Sequence, residues 1–100
     1  MLVISGTITI DPSNNARMAE ATSTLVAETI KEDGCNVYEY SQSAEHPGVW
    51  RVFEEWASED AVNAHIASPH MAAFMGAAGE LGITGVDIKR YDIESVSKFM

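Results

Sequence analysis

The sequence predicts an α+β sandwich in one domain over residues 1–100, with elements in the order βαββ(αα)β. Three observations predict it. Leu2 to Ile10 alternates with period two and is rich in β-branched residues. Met18, Thr22, Leu25, Val26, Thr29 and Ile30 recur at helical spacing. Two helix-start signals, Ser58 and Ser68-Pro69, fall between the third strand pattern and the last.

In the first strand, Leu2, Ile4, Ile8 and Ile10 share a face, and Val3, Ser5, Thr7 and Thr9 share the other. Gly6 removes a side chain from the apolar face. Either another group packs tightly there, or the gap is room for a ligand. Asp11-Pro12-Ser13 ends the strand and opens a helix, which Gly34 closes as a left-handed C-cap would. Cys35–Gln42 is the second strand, with Val37 opposite Tyr38 and Tyr40. The loop 44–48 makes a hairpin, with His46 exposed and inert. Val49–Trp56 is the third strand. Val49 and Phe53 take one face, and Trp50, Val52, Glu54 and Trp56 the other. Ser58 caps a short helix whose apolar stripe is Val62, His65 and Ile66, so His65 points inward. The next helix turns Met71, Phe74, Met75 and Ala78 inward and continues to Leu81. Gly82–Gly85 is a loop, Val86–Ile93 the fourth strand, and Glu94–Met100 has no clear pattern.

Six basic and fifteen acidic residues give a net charge of −9. That field repels phosphate backbones and anionic membranes, so neither nucleic acid nor membrane is an expected partner. The longest weakly polar run, Met71–Gly79, is far short of the roughly 20 residues that span a bilayer. The first residues carry no basic leader and no cleavage-like pattern. A single cysteine, Cys35, has no basic neighbour, reads as a buried structural thiol and fits a reducing cytoplasm. No cysteine pairs occur and the histidines are scattered, so no zinc-site spacing is present and no metal is expected.

This order of elements is that of a ferredoxin-like sandwich. Its helices can cover only one face of the sheet. The third strand carries large apolar groups on both faces, which points to a second copy laid sheet against sheet as a homodimer.

The stretch Glu54–Phe74 gathers the residues able to do chemistry. His65 brings an imidazole, a side chain that ordinarily titrates near neutral pH, to an apolar stripe. It reads as a base, or as a core histidine bonded to backbone or to Glu54. Glu54 lies among apolar groups, orienting a histidine or pairing with Arg51 or Lys89. His70, at a helix N-terminus, serves a pocket mouth, a cap or a dimer contact. Trp56 and Phe74 are the aromatic residues expected to hold a substrate.

Gly34-Cys35, Tyr38, Glu54-x-Trp56-x-Ser58, His65, Ser68-Pro69-His70-Met71 and Phe74 together resemble the antibiotic biosynthesis monooxygenase family, in particular the small bacterial quinol monooxygenase type. The resemblance covers essentially the whole chain. It implies a dimeric α/β barrel with a ligand pocket between sheet and helices. Members include oxygenases of aromatic polyketides and quinols, haem-degrading enzymes, an isomerase and proteins without known activity. The oxygenases use neither metal nor flavin, so no cofactor is expected. A deprotonated phenol or quinol reacts with O2 directly once a base, a donor for the anion and a dry pocket are supplied. The implied activity is cofactor-independent oxidation of a quinol or related aromatic molecule with O2. His65 and Glu54 are then catalytic, and Trp56, His70 and Phe74 bind the substrate. Two alternatives remain: a dimer that binds a small molecule without turnover, and an acid–base isomerase. Haem-degrading relatives carry an Asn on the first strand, a Trp on the middle helix and an axial His on the next. Here those stretches offer Gly6-Thr7, His65 and Met75, which disfavours haem degradation, although His65 or His70 has the chemistry to bind iron.

Overall fold

The computed structural model describes residues 1–100. The strands are β1 (Leu2–Ile10), β2 (Cys35–Gln42), β3 (Val49–Trp56) and β4 (Ile83–Asp92), and the α-helices are α1 (Asn15–Thr29), α2 (Glu59–Ile66) and α3 (Pro69–Ala78). One antiparallel sheet runs β2-β3-β1-β4. The α+β, ferredoxin-like prediction therefore holds. No helix is long and apolar enough to cross a membrane.

The alternation of β1 and β3 decides which face the helices cover. Leu2 stands opposite Trp56 and Ile8 opposite Trp50. These residues are buried beneath the helices with Ile10, Val52 and Tyr38. Asn15 accepts a 2.9 Å bond from the Trp50 indole, which ties the start of α1 to the sheet. Met18, Thr22, Leu25 and Thr29 form the buried stripe of α1, as their spacing predicts, whereas Val26 is half-buried and Ile30, past the helix end, is exposed. The opposite face of the sheet is open and mixed. Val3 is half-buried, Phe53 and Tyr91 are exposed, and Ser5, Thr7, Arg51, Asp87 and Lys89 line a shallow groove there.

Gly6 sits where two backbones meet. A Cβ there would lie 1.9 Å from the carbonyl oxygen of Asp87 and 2.6 Å from Ile88 Cα. Close strand approach accounts for the glycine, and the place its side chain would take is filled by the backbone of β4.

Four expectations shift. Gly34 has φ +81°, but α1 ends at Thr29. Lys31 and Glu32 bond back to Glu28 and Thr29, a tight i→i+3 winding, before Gly34 turns the chain into β2. Ile66 is 62% exposed and Met75 60% exposed, so neither belongs to an inward stripe. Both short helices bury little: Val62 and His65 from α2, and Phe74 from α3. α3 ends at Ala78, and Leu81 reaches the core from the following turn. β4 begins at Ile83, because Thr84 and Gly85 run extended beside Thr9 despite a glycine pair that reads as loop.

Candidate active site

Two serine caps set the angles of α2 and α3. Ser58 Oγ accepts from the Ala61 N–H at 3.2 Å, and Ser68 Oγ accepts from Met71 N–H at 3.3 Å while donating to His65 carbonyl oxygen at 2.6 Å. That last bond joins the end of α2 to the start of α3. Proline at the first position of α3 needs no backbone donor. As a result His65 and His70 face each other, with ring centroids 5.9 Å apart.

Between them stands Glu32, brought back by the winding after α1. Its Oε2 lies 2.8 Å from His65 Nδ1 and 2.7 Å from His70 Nε2. A carboxylate only accepts, so each ring presents an N–H to it. His65 is 2% exposed, while His70 and Glu32 are partly buried. Charge-assisted bonds this short hold both rings in fixed orientations.

Behind His65 the space is filled by rings. Trp56 lies 4.9 Å from the His65 centroid and Tyr38 5.1 Å from it, with Tyr38 and Trp56 6.2 Å apart. Trp56 is 0% exposed. Its indole N–H donates to Glu54 Oε1 at 2.9 Å. Glu54 is thus partnered by Trp56. It hydrogen-bonds neither His65 nor Arg51 and Lys89, the last two lying on the opposite face of the sheet. Burial pushes the Glu54 carboxyl upward, opposed by the Trp56 hydrogen bond and the nearby His65 and assisted by the Glu32 charge. Burial also raises the Tyr38 hydroxyl, with Tyr40 and Glu54 adding to the shift, and pushes Tyr40 up to about 12. The Cys35 thiol is likewise raised, by burial and then by Glu32 and Glu54, as suits an inert structural thiol.

The open space lies on the other side of His70. A cleft of about 400 Å³ runs between α1 and α3, lined by His70, Phe74, Leu25, Leu81, Arg17 and Glu20 among others. Arg17 is exposed and forms no ion pair. Of the predicted site residues, His70 and Phe74 line this cleft, His65 reaches it only through Glu32, and Trp56 and Glu54 are sealed in the core. His46 is exposed in its loop, as expected.

Glu32 and Arg17 are the residues that sequence reasoning misses. Glu32 stands in an acidic run that reads as solvated surface, and Arg17 sits on the polar side of a helix. Neither carries a periodic signal. The assembled group offers a carboxylate-held imidazole at the mouth of an apolar cleft with a cation on its rim. That arrangement can take a proton from an aromatic hydroxyl and hold the resulting anion.

A family model described as antibiotic biosynthesis monooxygenase matches residues 1–77. Among solved structures, the chain is similar to a candidate antibiotic biosynthesis monooxygenase from Deinococcus radiodurans, at 25% identity and TM-score 0.91, covering 100% of this chain and 99% of that one. A second candidate of the same name, from Caulobacter crescentus, is 27% identical with TM-score 0.87, over 94% of this chain and 90% of that one. Rv0793 from Mycobacterium tuberculosis is 25% identical with TM-score 0.84, over 97% of each chain. No curated protein matches.

Proposed function

The chain belongs to the antibiotic biosynthesis monooxygenase family, and from that premise we propose that it is a cofactor-independent monooxygenase acting on a quinol or related aromatic hydroxyl compound. One observation carries the reading: His70, held by Glu32 at 2.7 Å, lines an apolar cleft beside Phe74. His70 is the base in contact with substrate, and His65 is a positioning residue that acts through Glu32. Arg17 stabilises the phenolate, and Leu25, Phe74 and Leu81 exclude water. Glu54 keeps the Trp56 wall behind His65 in place.

The reaction balances without a further reductant. A quinol and O2 give a hydroxyquinone and water. The phenolate supplies electrons to O2, one oxygen atom bonds to ring carbon, and the other leaves as water. The base returns its proton to that water.

Oxygen uptake with a panel of quinols in chelator-treated buffer tests this. The wild type consumes O2, and His70→Ala loses about 100-fold or more. Ligand-induced thermal stabilisation without oxygen uptake across the panel would instead mark a binding protein. Deuterium exchange into substrate without O2 would mark an isomerase.

A homodimer joined through the open sheet face completes the proposal, since Val3, Phe53 and Tyr91 give that face an apolar centre. Light scattering should give twice the 10.8 kDa chain mass, and Phe53→Lys should give the monomer. A monomeric wild type would defeat it.

A further inference from the structure

We propose that Glu32, His65 and His70 form a binding site for a divalent first-row transition ion of the zinc and cobalt class. Three donor atoms from three separate segments converge there. Glu32 Oε2, His65 Nδ1 and His70 Nε2 all lie within 4.8 Å of one another. The contacts of 2.8 and 2.7 Å to Glu32 are slightly shorter than the roughly 3.0–3.5 Å between neighbouring donors that each stand about 2.0–2.2 Å from one ion. A small side-chain rotation opens them to that spacing.

The donor set selects the ion. Two imidazoles and one carboxylate suit borderline ions, whereas calcium and magnesium take oxygen ligands. Preorganisation supports the site. His65 is clamped between Tyr38 and Trp56. The Ser68 hydroxyl, bonded to the His65 carbonyl oxygen, also caps the helix that carries His70. Three protein ligands leave a coordination position free, and His70 already lines the α1–α3 cleft, so that position opens toward it. The net charge of −9 favours cation approach. On binding, the ion replaces the two hydrogen bonds to Glu32, and each neutral ring carries its N–H on its far nitrogen.

The binding claim stands on this geometry and does not depend on the oxygenase reading. One consequence does. The ion takes His70 Nε2 and moves the ring proton to Nδ1, the nitrogen that otherwise accepts the substrate's proton, so zinc should inhibit metal-free oxygen uptake.

The test uses the full chain stripped with a chelator, then titrated with Co(II) by visible absorption and with Zn(II) by calorimetry. One ion per chain is expected, with d–d bands typical of a nitrogen–oxygen site. Glu32→Gln and His70→Ala should each weaken binding by more than about 100-fold, beyond what loss of an outer partner costs. Both positions are only partly buried, so these variants should fold even where His65→Ala does not, and circular dichroism checks this. His46→Ala should leave binding intact. Absent bands and heat in the wild type, or unchanged affinity in Glu32→Gln and His70→Ala, or loss of binding in His46→Ala, would overturn the site. Zinc binding with no oxygen uptake by the metal-free protein would retain the site and remove the oxygenase reading; the converse would do the reverse.

Discussion

Two carboxylates, Glu54 and Glu32, both stand beside aromatic nitrogen donors, yet their surroundings give them different work. Glu54 lies beneath the helices, takes one bond from Trp56 and is pushed toward its neutral form by burial. Glu32 lies at the helix ends, takes bonds from two imidazoles, and through His70 reaches a cleft. The difference is access. A carboxylate sealed among rings braces the core, whereas one bridging two histidines at a cleft can tune a proton acceptor or hold a cation. Residue type and apolar neighbours alone do not separate the two cases.

The contrast breaks most visibly at the rings. Trp56→Ala should cost about 3–5 kcal/mol of stability, because it empties a fully buried site and leaves Glu54 without its donor. Chemical denaturation measures this, and a loss below about 1 kcal/mol would mean that the sealed cluster is not core. His70→Ala, the cleft counterpart, should cost much less stability while removing activity.

A smaller effect sharpens the comparison through pH. The folded pKa of Glu54 is raised above its ordinary value of 4.5, so the folded state binds a proton more readily than the unfolded chain. Stability from this group is therefore full below about 4.5 and is lost as pH rises through the folded pKa. Glu54→Gln keeps an oxygen acceptor for Trp56 and never ionises. It should melt above the wild type at neutral pH, with the gap closing as pH falls below 4.5. A gap independent of pH would show that burial of Glu54 carries no electrostatic cost.

Much of the fold was legible because its signals are local. The bounds of β2 and β3 follow from β-branched and aromatic alternation between turn residues. Ser58 and Ser68-Pro69 announce α2 and α3 because caps act within a single turn. Ile66 and Met75 misled for a related reason. Helical spacing identifies a face, but the width of that face depends on what packs against it, and these short helices touch little.

The candidate site was half legible. His65 and His70 stand out as imidazoles beside apolar residues, and the inward turn of His65 follows from its place on the stripe with Val62. Glu32 does not stand out, since its role arises from a contact 33 residues away. The expected pocket among Trp56, His65 and Phe74 illustrates the same limit. Apolar rings that line a cavity and apolar rings that fill one are identical in sequence.

Taken alone, the chain determined β1 to β3, the two serine caps and the inward imidazole, because hydrogen bonding and side-chain periodicity act over a few neighbouring residues. Only tertiary structure decided that Glu32 bridges His65 to His70, that Trp56 and Glu54 are sealed, and that the cleft opens beside Arg17 and Phe74. Those outcomes depend on how helices stack on the sheet, where distances of a few ångströms between remote residues separate a packed core from a reachable site.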